Sequence, residues 1–343
     1  MDLGLREFVE AASWIAGFRR PLLLSHVKPD GDALGSLVAM RTLLAARGVA
    51  ATAVIFDELS TRYTIFARHG KLPCFPREIG EEELAACDAV IVLDTCSYNQ
   101  LEPVADWLRR CPLPKMAIDH HHTRDELADR YLIDSSAAAN CLLLYELARA
   151  SGWKIEQAAA EALFIGLAMD TGWFRHANTN ERALQAAGEL AGLGANPNAL
   201  FIELYQRETA GRIRLLGRAV ESLELHEDDR LALMTLPASA FPATGATRAE
   251  TEDIVNEPLR IATVRVSALL VEHDEGFVRV NLRAKAAGEG ADAHPAVDVA
   301  AVAQLLGGGG HRAAAGGTVR GDVATVRGTV IDVLRRALFA GST

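Results

Sequence analysis

His26, Asp30 and Asp32 fall within seven residues, in the stretch Leu22-Leu23-Leu24-Ser25-His26-Val27-Lys28-Pro29-Asp30-Gly31-Asp32. Imidazole and carboxylate side chains bind divalent cations, and here they directly follow an apolar run. Three further clusters repeat the arrangement. Asp94-Thr95 closes the run Ala89–Leu93, Asp119-His120-His121-His122 closes Met116–Ile118, and Asp170-Thr171-Gly172 closes an almost wholly apolar helical stretch from Glu156 to Met169. A fifth tract, Gly307-Gly308-Gly309-Gly310-His311-Arg312, offers another chemistry. Its glycines let backbone N–H groups approach an anion, and His311 and Arg312 add side-chain donors. It is not a Walker loop, because no Gly-Lys-Ser/Thr follows.

Each cluster also has an ordinary structural reading. Asp30 between Pro29 and Gly31 suits a turn, Asp32 suits the N-cap of the next helix, and His26 suits a hydrogen-bonded buried histidine. Asp94 could open an Asx turn, Asp170 could lie in solvent, and the glycine run could be a linker. Position and cost weigh on the other side. A carboxylate after a buried run is expensive unless paired or metal-bound. One at a helix C-terminus meets the unfavourable end of the dipole, a penalty that a cation reverses. Asp119 is placed to orient an imidazole from behind. Neighbours on extended backbone point to opposite sides, so one histidine of the 120–122 run is expected to ligate and another to face substrate. The inventory is then two histidines and four aspartates without cysteine, which suits manganese, iron or cobalt better than structural zinc. Six groups exceed one ion with an open position. They fit two ions sharing a bridging carboxylate, the arrangement of phosphoryl-ester hydrolysis.

These clusters need strands to carry them. Helical spacing over residues 3–18 precedes a strand from Pro21, and Leu34, Leu37, Val38 and Leu44 mark a helix that ends near Gly48. Val49–Phe56, Ala89–Leu93 and Met116–Ile118 read as further strands, and strands alternating with helices predict an α/β fold with a parallel sheet flanked by helices. In such sheets ligands gather at the carboxyl ends of the strands, where the clusters lie. Helices follow from Ala137, over Glu156–Met169, around Glu181–Leu193 and over Pro197–Gln206. The spacing of Ile213, Leu216, Val220 and Leu223 predicts a connecting helix. Domains of 1–206 and 228–343 are therefore expected, joined by a linker helix at 207–227. The smaller α/β C-terminal domain has strands at Arg230–Leu236, Thr263–Glu272 and Phe277–Arg283, a low-complexity loop over Ala284–Pro295, and helices at Val297–Leu306 and from Val323.

With 343 residues, half of them hydrophobic, the chain has ample material for two cores. Its net charge of −10 argues against coating long nucleic acid, although one cationic pocket suffices for a small anionic substrate. Five scattered cysteines without a CxxC pair fit a reducing compartment. No secretory leader or bilayer-length apolar run is visible, so a soluble, cytoplasmic protein is expected.

Taken in order, His26-Val27-Lys28-Pro29-Asp30-Gly31-Asp32, Asp94-Thr95, Asp119-His120-His121 and Asp170-Thr171-Gly172 resemble the four motifs of the DHH phosphoesterase family. Gly307 to Gly316 resembles the signature of its associated C-terminal substrate domain. The compact length is similar to the oligoribonuclease (nanoRNase) and pAp phosphatase branch rather than to RecJ. The resemblance implies a manganese-dependent phosphoesterase with two ions, magnesium, cobalt or iron being alternatives. His26 and Asp30 would hold one ion, Asp32, His120 and Asp170 the other, and Asp94 would bridge them. His121 would face the scissile phosphate, with Asp119 orienting the neighbouring imidazole. Arg283, His311 and the backbone of Gly308, Gly309 and Gly310 would hold substrate. The chain departs from the family at Ala284, where a serine is usual. The implied substrates are short oligonucleotides and pAp, with hydrolysis at phosphorus and closure of the second domain over the cleft. A cyclic dinucleotide or its product pApA is the rival substrate, and a nucleotide-binding regulator on a degenerate fold is the rival outside enzymes. Neither a membrane nor long duplex nucleic acid is expected as partner, and a homodimer is left open.

Overall fold

The computed structural model describes residues 3–121, 124–285 and 296–339, without the side chains of Thr61, His311 and Phe339. His122 and residues 286–295 of the expected loop lie outside the described residues. The chain divides into two compact units, Met1–Arg207 and Glu208–Thr343.

The first unit carries α1 (Leu5–Ile15), β1 (Pro21–Leu24), α2 (Gly31–Ala45), β2 (Thr52–Ala53), α3 (Glu81–Ala85), β3 (Ala89–Leu93), α4 (Ala105–Arg110), β4 (Lys115–Asp119), β5 (Arg130–Ile133), α5 (Asn140–Ala150), α6 (Gln157–Asp170), α7 (Glu181–Gly192) and α8 (Pro197–Tyr205). Its five strands form one sheet in the order β2-β1-β3-β4-β5, and every pairing is parallel. Alternate residues enter two cores. Leu23, Ile91, Leu93 and Ile118 pack with Ile15, Met40 and Phe164 on one face, whereas Leu22, Leu24, Val90 and Val92 pack with Leu84, Trp107 and Leu108 on the other. Burial on both faces explains why these strands read as unbroken apolar runs. The expected strand over 49–56 is shorter. Only Thr52 and Ala53 pair with β1, which ends one residue later, and Ile55 turns away to bridge Cys74.

Helix α2 is buried nearly all round: twelve of its fifteen residues are inside. It lies so close to α6 that a Cβ on Gly35 would meet the Ala162 carbonyl at 2.7 Å. A helix sunk between layers in this way needs apolar and small residues on nearly every side, which its buried positions supply apart from Asp32 and Ser36.

The second unit carries α9 (Ala210–Glu221), β6 (Glu224–His226), β7 (Leu231–Leu236), α10 (Ala240–Thr244), β8 (Val266–His273), β9 (Phe277–Ala284), α11 (Val299–Leu305), β10 (Gly309–His311), β11 (Ala314–Arg320) and α12 (Val323–Phe339). The sheet order is β10-β11-β9-β8-β7-β6. Only β7 and β8 pair in parallel. One face is closed by α11 and α12 over Leu231, Leu270 and Leu282. On the other, Leu215 and Ala219 of α9 pack with Met234, Leu236, Leu269 and Val271. The glycine tract is a sheet edge, because β10 and β11 form an antiparallel pair through Gly309↔Gly316 and His311↔Ala314. Among the described residues, no helix is long and apolar enough to cross a membrane.

Candidate metal centre

The carboxyl edge of the first sheet places each donor in turn. Beyond β1, the Ser25 hydroxyl donates to the Leu93 carbonyl at 2.8 Å and ties the ends of β1 and β3 together. The chain then carries His26 forward and starts α2. Asp30, not Asp32, is the N-cap: its Oδ1 accepts from the N–H groups of Asp32 and Ala33, both at 3.0 Å. Asp32, in the first turn of α2 and 1 % exposed, points to the start of α5. Its Oδ2 accepts from Asn140 N at 2.5 Å and its Oδ1 from Cys141 N at 2.9 Å. The positive end of a helix thus faces a buried carboxylate. Gly166 keeps the space open, since a Cβ there would stand 2.7 Å from Asp32 Oδ1.

Asp94 follows β3 with a left-handed φ of 61° and is 2 % exposed. Aspartate enters this region more readily than most residues, yet at a cost. Its Oδ2 lies 3.6 Å from His26 Nε2 and its Oδ1 3.4 Å from His120 Nε2, and Oδ1 is buried without a hydrogen-bond partner. His120 Nε2 also lies 3.9 Å from Asp32 and 3.4 Å from Asp170, the last residue of α6. Ligand atoms of His26, Asp30 and Asp94 fall within 4.8 Å of one another, as do those of Asp32, His120 and Asp170, and those of Asp94, His120 and His121.

The two ring nitrogens give a test of what this cluster fits. His26 Nδ1 is 2.9 Å from the Val27 carbonyl and His120 Nδ1 is 3.2 Å from the Ala137 carbonyl. A carbonyl only accepts, so each Nδ1 carries the hydrogen and each Nε2 faces carboxylates. In a neutral ring that would set lone pair against lone pair. A proton or a cation on the carboxylate side resolves the conflict, and backbone-anchored imidazoles with free Nε2 atoms are typical of metal ligation. Without a cation, the protons accumulate. Burial disfavours charge on both rings, but Asp94 and Asp30 raise His26 to about 9, and Asp94, Asp32 and Asp170 raise His120 to about 10. Burial, with the charges of Asp94 and Asp170, pushes Asp32 well above the usual carboxylate range. Burial raises Asp170 to about 6 against the pull of His120. Asp94 is lowered: its burial is outweighed by the nearby imidazoles of His120 and His26. Four clustered aspartates, one with an orphaned carboxylate oxygen, and two directed Nε2 atoms fit a pair of divalent cations.

His121 is arranged differently. Its Nδ1 is 2.7 Å from Asp119 Oδ1, which also accepts from the N–H groups of His120 at 2.8 Å and His121 at 3.2 Å. The fully buried Asp119 therefore orients the His121 ring, which is 46 % exposed, while a backbone carbonyl orients His120. The hydrogen bond to Asp119 raises the His121 pKa.

Arg283, Gly308, Gly309 and Gly310 belong to the second unit. Arg283 is half-buried in β9 opposite Ala314, and its Nη1 donates to the Leu282 carbonyl at 3.0 Å. The glycines differ in why they are glycine. A Cβ on Gly308 would stand 2.1 Å from the Gly316 carbonyl oxygen, and one on Gly310 2.6 Å from Ala315 Cα, whereas one on Gly309 would meet nothing within 4 Å.

Several supporting groups had no signal in the sequence. The Val27 and Ala137 carbonyls are backbone atoms, which no side-chain pattern reveals. Asn140 holds Asp32 through its N–H. With its amide nitrogen donating to the Ile118 carbonyl at 2.9 Å, its amide oxygen accepts from Ser36 Oγ at 2.8 Å and Asp94 N at 3.3 Å. A lone asparagine after three alanines was the only hint. Behind this segment, Arg182 grips Asp134 at 3.0 Å and Glu146 at 2.8 Å, and Asp134 Oδ1 accepts from Ser136 N and Oγ at 2.9 and 2.6 Å. That ion pair fixes the loop that carries Ala137.

Comparison with known proteins adds lineage to this geometry. A model of the DHH family, N-terminal domain, matches residues 22–167, and a model of the DHHA1 domain matches residues 232–337. A relative from Bacillus subtilis named bifunctional oligoribonuclease and PAP phosphatase NrnA is 27% identical over 307 residues, covering 87% of this chain and 88% of its own. A Thermus thermophilus protein of the same name is 28% identical over 319 residues, covering 92% and 89%. Among solved structures, an exopolyphosphatase-related protein from Bacteroides fragilis superposes with a TM-score of 0.84 at 21% identity, over 98% of this chain and 96% of that one.

Proposed function

We propose, from the premise that the chain belongs to the DHH family, that it is a metal-dependent phosphoric ester hydrolase acting on short oligonucleotides and on the 3′-phosphate of pAp. The relatives named for both activities match it along most of their length, which supports this substrate pair. The observation that carries the reading is Asp94, shared between the His26–Asp30 side and the His120 side of one buried cluster with an unpartnered carboxylate oxygen.

His26, Asp30, Asp32, His120 and Asp170 would hold two divalent ions with Asp94 between them; manganese suits this mixed imidazole and carboxylate set, and magnesium, cobalt and iron are compatible. Such ions supply neutralisation of the phosphoryl oxygens and a more acidic attacking water. The chain's own residues do the rest. Asp32 is held by the start of α5, so the acid does not relax when substrate charge arrives. Asp119 holds the His121 ring through Nδ1 and favours its protonated form, in which Nε2–H would donate toward a phosphoryl oxygen. Arg283 would bind a substrate phosphate, and Gly309 leaves room for one beside its backbone. Five free, buried cysteines suit a reducing cytoplasm.

The test is a length series of RNA and DNA from dimer to 24-mer with manganese, scored for mononucleotide release beside pAp dephosphorylation and cyclic di-AMP cleavage. Turnover concentrated on pAp and the shortest oligomers is expected. Asp94→Ala should lower it by about 10³-fold or more with unchanged circular dichroism. Dominant cleavage of cyclic di-AMP, equal turnover of long strands, or near-normal activity of Asp94→Ala would each overturn the assignment.

A further inference from the structure

Helix α6 closes in an ordinary way, and the chain then leaves it in an unusual one. The Gly172 N–H donates to the Met169 carbonyl at 3.0 Å and the Trp173 N–H to the Ala168 carbonyl at 2.5 Å. These are the two bonds of a Schellman close, with Gly172 at φ 54° as its left-handed residue. That motif needs one such residue. Here Trp173 and Phe174 follow at φ 54° and 62°. Glycine enters this region freely, whereas a bulky side chain there is a genuine outlier. Each added left-handed residue brings its Cβ against the following carbonyl. A conformation of this kind persists only where its surroundings over-determine it.

The surroundings are aromatic. The Trp173 ring meets Phe164 of α6 edge-on at 6.1 Å between centroids, and Phe201 and Tyr205 of α8 at 5.1 and 5.8 Å. Phe174 meets Phe164 at 5.9 Å. Tyr205 closes the box by donating its hydroxyl to Met169 Sδ at 3.0 Å. The indole N–H is buried without an acceptor, so ring contacts hold Trp173 there, and its polar atom does not. The amides of the turn converge on Thr171. Phe174 N donates to its Oγ1 at 3.2 Å, and Arg175 N and His176 N donate to its carbonyl at 2.9 and 3.0 Å. The chain thereby folds back over the end of α6. Asn178 Nδ2 donates to the carbonyls of Asp170 at 3.2 Å and Ala138 at 3.1 Å. The His176 ring covers Gly172, where a Cβ would stand 2.2 Å from its Nε2.

Asp170 is the residue this turn holds. Asp30 and Asp32 each accept two backbone N–H groups, which fix their carboxylates directly. Among the described residues, no hydrogen bond reaches the Asp170 carboxylate, whose partner is His120 at 3.4 Å. Its direction therefore depends on its backbone, and that backbone is set by Asn178 and by the turn beginning at the next residue.

We propose that Trp173 is a positioning residue of the metal centre: its ring, boxed between α6 and α8, pins the left-handed turn that fixes the backbone of Asp170, and with it the carboxylate beside His120. The ligand role of Asp170 rests on the function proposed above; the anchoring rests on the dihedrals and the ring contacts.

The test reads metal binding and backbone protection, and neither requires turnover. Manganese is titrated by calorimetry into the full chain stripped with EDTA, and amide hydrogen exchange is followed without metal. Trp173→Ala should weaken one of the two ions by about tenfold to a hundredfold and leave the other within about threefold. Trp173→Gly should lose as much, because glycine relieves the backbone but returns no ring. Trp173→Phe keeps a ring and sheds the orphaned N–H, and should stay within about threefold of the wild type. In an Asp170→Asn background, Trp173→Ala should change the affinity by less than about twofold, since it acts through that carboxylate. Without metal, Trp173→Ala but not Trp173→Phe should speed exchange at the amides of residues 173–176 by about tenfold or more. Wild-type binding of both ions by Trp173→Ala or by Trp173→Gly, an undiminished effect in the Asp170→Asn background, or unchanged exchange would overturn the inference. If the wild-type chain takes up no manganese, the metal reading falls, and the exchange result alone decides whether Trp173 pins the turn.

Discussion

Adding manganese to the metal-free protein at pH 7.5 is expected to release two protons per chain, or more. The magnitude follows from the two anchored imidazoles. Raised to about 9 and about 10, His26 and His120 each carry their second proton roughly 97% of the time or more at this pH. The Nδ1 hydrogens stay in place, donated to the Val27 and Ala137 carbonyls, so the protons displaced are those on Nε2. Asp32, raised well above the usual range, can add a third. Two unperturbed imidazoles, with a pKa of about 6.5, would together release only about 0.2 protons under the same conditions. Calorimetric titration in buffers of different ionisation enthalpy counts the protons from the slope of apparent enthalpy. The apparent affinity for each ion should rise about tenfold per pH unit while its ring must deprotonate, about a hundredfold for the pair, and flatten above the two pKa values. The same groups set the pH dependence of the metal-free fold. Because both pKa values are raised, the stability they contribute is complete below about 6.5 and lost as pH rises through 9 and 10. Release of fewer than one proton, or an affinity flat between pH 7 and 8, would refute the placement of the Nε2 atoms.

Three further predictions separate structural from functional roles. Gly308→Ala should destabilise the second unit by about 1–3 kcal/mol in urea titrations, because its Cβ would collide with the β11 backbone. Gly309→Ala should change stability by less than about 0.5 kcal/mol yet raise the KM for pAp; an unchanged KM would remove Gly309 from the substrate site. Arg182→Ala leaves Asp134 buried and unpaired. With the arginine about one-third exposed, the expected loss is about 2–3 kcal/mol, read as a shifted urea midpoint, and a shift below about 0.5 kcal/mol would show that water replaces the guanidinium.

The sheet and the donors at its carboxyl edge were legible because parallel strands covered on both faces leave a plain trace: an apolar run broken by the first polar residue at the exit. Leu22–Leu24 before His26 and Ala89–Leu93 before Asp94 both read this way, and the structure brings together His26, Asp30, Asp32, Asp94, His120 and Asp170. Less legible was which acid caps α2, since Asp30 and Asp32 are both good caps and only the approach of α5 shows that Asp32 is engaged elsewhere. The edge strand β5 and the hairpin β10–β11 were hidden for opposite reasons. Arg130–Ile133 is short and partly exposed, and Gly309–His311 has almost no side chains to form a pattern. The backbone carbonyls that set the imidazoles, and the Arg182 pair behind them, join residues far apart in sequence and leave no local signature.

All six inward-facing donors come from residues 26–170, within the first unit, and that unit has hydrophobic cores of its own. The residues proposed to hold substrate, Arg283 and the backbone of Gly308, Gly309 and Gly310, lie wholly in the second, on a sheet packed around separate cores. On the function proposed above, reactivity and preference would be written in non-overlapping stretches of the gene. Recombining 208–343 with that of a relative would alter which anions are held while leaving the acid–histidine constellation untouched. Such swaps offer a route to new substrates that needs no redesign of the chemistry.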